Sequence, residues 1–100
     1  MVETAKLKLV TIVVNYEYEQ RMSEELRALG VSGYTTMPVN GHGTHGTRRY
    51  GILDGANVRF DVLARADLAQ RVLDRVAVAF AGSPYVAYSH DAEAIPCDHF

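Results

Sequence analysis

The chain has 100 residues, 48% of them apolar and 22% charged, and its 10 Lys and Arg against 12 Asp and Glu leave a net charge of −2. That composition excludes a disordered or low-complexity chain, and the length suits one domain, residues 1–100, with a single core. The acidic balance argues against a nucleic-acid-binding surface, and no stretch approaches the ~18–20 apolar residues of a membrane helix.

The first six residues lack the pattern of a signal peptide. Cys97 is the single cysteine, so no intrachain disulfide is possible and a reduced, cytoplasmic location is expected. Residues 6–14 are rich in β-branched side chains and read as a strand. Val10, Ile12 and Val14 share one face; Leu7, Leu9 and Val13 share the other. Residues 16–29 read as a helix, with Tyr18, Met22, Leu26 and Leu29 on one apolar stripe and Gly30 as the C′ stop. Residues 33–39 read as a second strand that Pro38 weakens.

Residues 40–57 form a long connection with five glycines, a length that usually signals function or disorder. Residues 58–64 read as a third strand. A second helix follows, capped by Asp67 and running to about Phe80, with Leu68, Val72, Val76 and Phe80 facing inward. Residues 85–90 read as a fourth strand, and 91–100 as a short tail. The order gives an α+β class, the ferredoxin-like βαββαβ arrangement, in which both helices cover one face of a four-stranded antiparallel sheet. Because both faces of the first strand are apolar, the helix-free side is expected to be buried in a cyclic homo-oligomer. Cover by the tail is the plainer alternative.

The segment richest in chemistry runs from Gly41 through His42, Gly43, Thr44, His45, Gly46 and Thr47 to Arg48 and Arg49. Its glycines let backbone N–H groups converge on an anion, its threonines add hydroxyls, and its arginines add planar donor forks. A solvated glycine-rich hairpin is the competing reading. Neither a phosphate-loop pattern nor a dinucleotide fingerprint is present. His42 and His45, with Cys97 and His99, include metal-ligand types, but loop spacing does not bring four ligands together and no metal site is assigned. No nucleophile elbow or carboxylate pair points to catalysis.

Taken in order, Gly33-Tyr34-Thr35-Thr36-Met37, the Gly-His-Gly loop, Val58-Arg59-Phe60-Asp61-Val62-Leu63 and Asp74-Arg75-Val76-Ala77-Val78 resemble the PII-like signalling proteins. In particular they resemble the branch associated with bicarbonate transporters and carboxysomes. The resemblance implies a non-enzymatic homotrimer that binds adenine nucleotide in clefts between subunits and signals through a flexible T-loop. It implies Thr35 and Thr36 lining the cleft below the loop, and Gly41, His42, Gly43 and Thr44 wrapping phosphate. Arg48 and Arg49 would be basic contacts, and the backbone around Asp61, Val62 and Leu63 would read the adenine edge. A segment near Tyr85 to Tyr88 would close the site. Bicarbonate would bind near Gly43, Thr44 and Arg48. Where nitrogen-type relatives carry a basic turn after the second helix, this chain has Gly82-Ser83-Pro84-Tyr85, and no arginine follows Arg75; fewer positive groups favour ADP or AMP. The lone Cys97 does not fit a paired-cysteine redox tail. Two other classes stay open. Phosphate release abolished by an Arg48 variant would mark a slow nucleotide phosphohydrolase. Metal retained on dialysis through His42 and His45 would mark a trimeric metal-binding module.

Overall fold

The fold comes from a computed structural model, which describes residues 1–42 and 55–96. The described residues form β1 (Ala5–Asn15), α1 (Glu19–Ala28), β2 (Thr35–Gly41), β3 (Gly55–Ala64), α2 (Ala66–Ala79) and β4 (Tyr85–Ala94). The strands make one antiparallel sheet in the order β2-β3-β1-β4. This is the ferredoxin-like arrangement that the order of apolar patterns implies.

Alternation in β1 sets the layers. Val10, Ile12 and Val14 are fully buried and join Phe60 and Val62 of β3, Met22 and Leu26 of α1, and Val72 and Val76 of α2 in one core. Each such side chain contributes about 1.5–3 kcal/mol on burial, set against the entropy of ordering the chain. Both helices therefore lie on the even-numbered face of β1. α1 ends in a Schellman motif: Gly30 N–H bonds Arg27 C=O at 3.0 Å and Val31 N–H bonds Leu26 C=O at 3.1 Å. Gly30 has φ +87°, a conformation that disfavours any side chain. Arg75 of α2 grips both oxygens of Glu25 on α1. Arg21 donates to the Ala79 carbonyl and stacks 4.6 Å above the centre of the Phe80 ring, so α1 also ties down the end of α2.

Several boundaries differ from the sequence reading. Residues 16–18 form a turn of 3-10 helix before α1, because the Asn15 side chain accepts the Glu17 N–H at 3.1 Å and tightens the entry. Arg65 rather than Asp67 is the N-cap of α2, and Asp67 sits in the first turn, where the helix dipole still favours its charge. The ladder takes in Asn40 and Gly41, paired with Ala56 and Gly55, so the connection is shorter than residues 40–57. β4 continues to Ala94, through residues assigned to the tail, because Asp91 and Glu93 pair with Lys8 and Lys6. The Lys8 ammonium lies 2.6 Å from the Asp91 carboxylate and holds that carboxyl below its usual range.

Candidate functional site

The site begins with unequal strand lengths. β3 pairs with β1 as far as Ala64, opposite Lys8. On its other side, pairing with β2 stops at Asp61, opposite Thr35. Among the described residues, 62–64 of β3 thus have a pairing neighbour on one side and none on the other. Residues 30–34, which follow α1, swing past this point without joining the sheet.

Pro38 tells which backbone groups this leaves open. It pairs with Val58 in the middle of β2, and proline has no N–H to give. The Pro38–Val58 pair must therefore be one of the ladder's non-hydrogen-bonded pairs, and hydrogen-bonded pairs alternate with it. That phase makes Arg59 and Asp61 face β2, and Val58, Phe60 and Val62 face β1. Continued by two residues, it aims both the N–H and the C=O of Leu63 at the place where β2 is missing. A single extended residue there presents an adjacent donor and acceptor.

Those groups border an open cleft of about 420 Å³ between the end of α1, the end of β3 and the start of α2. Leu29 and Val31 supply apolar wall, Ser32 a hydroxyl, and Asp67 and Arg71 opposite charges at i and i+4 on α2. Ser32, Asp67 and Arg71 were not assigned to a site from sequence. The signal that finds them is the mismatch between where β2 starts and where β3 ends, which exists only once the register is known.

The sequence-predicted residues fall at two ends of the sheet. Asp61, Val62 and Leu63 are at the cleft end; Val62 turns its side chain into the core and is fully buried. Thr35 and Thr36 open β2, beside Asp61 and Phe60 and remote from the connection that follows Gly41. Gly41 and His42 stand at the opposite end, at the base of that connection. From Gly55, which pairs with Gly41, to Leu63 is eight residues along β3, or about 26 Å at the rise of a strand. A mononucleotide seated at Leu63 does not reach Gly41 or His42 of the same chain. Tyr85 pairs with Val14 near the loop end, and Tyr88 with Thr11 at mid-sheet. Gly43, Thr44, His45, Arg48, Arg49, Cys97 and His99 lie outside the described residues. Among the described residues no three His, Cys, Asp or Glu side chains come together as a metal-binding group, and no helix is long and apolar enough to cross a membrane.

The turn after α2, residues 81–84, is tight. Ser83 N–H bonds Phe80 C=O at 2.9 Å, Gly82 has φ +84°, and Phe80 is buried edge-on against Tyr18 at 6.0 Å. It carries no lysine or arginine.

Comparison with known proteins bears on this geometry. The family model for nitrogen regulatory protein P-II matches residues 7–97. No curated protein sequence matches the chain. A PII-like signalling protein from Thermus thermophilus is 29% identical, with a TM-score of 0.78 and 94% of each chain covered. CPII from Thiomonas intermedia, in its structure with ADP and bicarbonate, is 20% identical with a TM-score of 0.81, covering 96% of this chain and 95% of that one. The same protein bound to ADP, AMP and bicarbonate gives 21% identity and a TM-score of 0.79, covering 95% of this chain and 99% of CPII. At that identity the likeness to CPII is one of fold.

Proposed function

The chain belongs to the nitrogen regulatory protein P-II family, and on that premise we propose that it is a non-enzymatic regulator that binds ADP or AMP, with bicarbonate, at sites shared between copies of a homotrimer. The observation that carries this reading is the open backbone edge of Leu63 over the cleft. Adenine presents a donor, its amino group, next to an acceptor, its ring nitrogen. The Leu63 C=O and N–H match that pair, and Val31 and Leu29 offer apolar cover to the ring. Guanine presents an acceptor and a donor in the reverse order.

The distance between the two groups of site residues supports a site built by two chains. The cleft end of one copy would hold the base. The loop base of the next, Gly41 and His42 with Gly43, Thr44, Arg48 and Arg49, would hold phosphate. A cyclic arrangement repeats this contact at every seam. The neutral, self-bonded turn at 81–84 offers no cationic contact to a third phosphate, which favours ADP and AMP over ATP. CPII binds ADP, AMP and bicarbonate, and the same ligands suit this chain: bicarbonate is a small planar anion for the amides of Gly43 and Thr44 and the fork of Arg48.

Nucleotide would act as a signal by favouring one arrangement of the loop over another. The loop would then meet its target, a bicarbonate transporter or a carboxysome component, and so report energy and inorganic-carbon status in the cytoplasm. Titration calorimetry tests this with each ligand added first. Coupled sites require ADP to tighten bicarbonate by the same factor by which bicarbonate tightens ADP. Independent binding of the two refutes the coupling, and absence of ADP binding refutes the reading.

A further inference from the structure

The helix-free face of the sheet has a polar centre. Thr11 lies mid-strand in β1, beside Asp61 on β3 and Tyr88 on β4. Odd-numbered positions of β1 point away from the core residues Val10 and Ile12. Yet Thr11 is 0% exposed although no helix among the described residues covers it. Its hydroxyl donates to Asp61 Oδ1 at 2.8 Å, and Arg59 Nε donates to the same oxygen at 3.0 Å. Leu9, Val13, Leu63 and Val86 share this face by register and are half-buried.

The pair is only partly used. A carboxylate accepts at two oxygens and a guanidinium donates five N–H groups. Among the described residues, the bonds to Asp61 converge on Oδ1, and Arg59 donates through Nε. Packing this face against a purely apolar surface would strip water from the remaining oxygen and the two outer nitrogens and give nothing back. A surface that fits must carry both a donor and an acceptor at the centre of an apolar surround. A second copy of this chain carries both.

We propose that Arg59 of one copy bonds Asp61 of the next across the helix-free face, so that this pair sets the register of the assembly. Each copy has donors to spare on Arg59 and an oxygen to spare on Asp61. A head-to-tail ring uses both at every seam and leaves none over, whereas an open chain leaves one of each without its partner at its ends. The ion pair thus selects ring closure, while the apolar residues around it supply the driving force. This rests on the reading of the chain as a cyclic oligomer and adds which side chains fix it.

Sedimentation velocity on the full chain tests it. Arg59→Asp and Asp61→Arg each place like charges around the ring, and each is expected to sediment as monomer while far-UV circular dichroism stays folded. The doubly reversed chain is expected to regain assembled mass, yet to form no mixed trimers when refolded with a tagged parent chain, since a mixed ring sets like charges opposite each other at two of its seams. Single variants that assemble as tightly as the parent chain overturn the proposal and leave the cyclic reading standing. So does capture of the doubly reversed chain by the tagged parent in statistical proportion, because the pair then acts within one subunit. A monomeric parent chain overturns both. Should the reversals unfold, Asp61→Asn keeps the size and the Thr11 bond; its ring is expected to dissociate at about ten-fold higher concentration, and an unchanged midpoint counts against the proposal.

Discussion

Placing proline at two successive positions of β3 separates the two sides of that strand. If Pro38 sets the ladder phase as argued, the Leu63 N–H faces the cleft and bonds no strand. Leu63→Pro then removes a donor that the fold does not use. The residue before it, Val62, is already extended, as a residue preceding proline must be, and the lost leucine was half-buried on the helix-free face. The N–H of Val62 faces β1 opposite Val10, and the valine side chain is fully buried. Val62→Pro therefore breaks a ladder bond and opens the core, at a cost of about 3 kcal/mol or more. Thermal melting by circular dichroism should find Leu63→Pro folded and Val62→Pro far less stable. Once sedimentation shows that the Leu63→Pro variant keeps the parent's assembled mass, calorimetry with ADP should find it weaker by about 1–3 kcal/mol, some five- to 150-fold, the penalty for an unmet acceptor on a buried base. Equal destabilisation of the two variants refutes the phase. A stable Leu63→Pro variant that binds ADP like the parent refutes the base-reading role.

Phe60 is fully buried and lies 5.5 Å from the Tyr34 ring, so Phe60→Ala should lower stability by about 3–5 kcal/mol in urea melts. The Arg75 guanidinium holds the Glu25 carboxyl below its usual range. A carboxyl lowered by folding adds stability that is complete above its unfolded value near 4.5 and is lost as pH falls through the lower, folded one. Glu25→Gln should therefore lower Tm at neutral pH, flatten the acid limb of a Tm-against-pH profile and leave the slope of its alkaline limb unchanged. Arg48→Ala and Arg49→Ala should weaken ADP binding, read by calorimetry, without changing the sedimenting mass.

Much of the fold was legible because its signals are local. The alternation of Val10, Ile12 and Val14, the stripe of Met22 and Leu26, and Gly30 at a helix end each act within a few residues. Where the reading stopped short, partners distant in sequence decide the conformation. Asp91 and Glu93 are poor strand formers, and they extend β4 because lysines face them across β1. Asn40, Gly41 and Gly55 have little strand preference, and the ladder already formed beside them carries them along. The anion-binding reading of the loop rests on its glycines and arginines, of which residues 43–54 lie outside the described residues, and the base-reading role of residues 61–63 rests on family likeness. The cleft was not visible in the sequence, because it arises from β2 starting short of the end of β3. Nor does composition reveal that Leu63 and Gly41 stand at opposite ends of the sheet, which is why the candidate residues of one chain do not meet.

Native mass spectrometry with ADP tests the central claim most directly, since it weighs assembly and bound nucleotide together. A site shared between copies predicts trimers carrying up to one ADP per chain, and bare monomers when the protein is diluted until it dissociates. Nucleotide retained on monomers, or trimers that stay bare at saturating ADP, would contradict it.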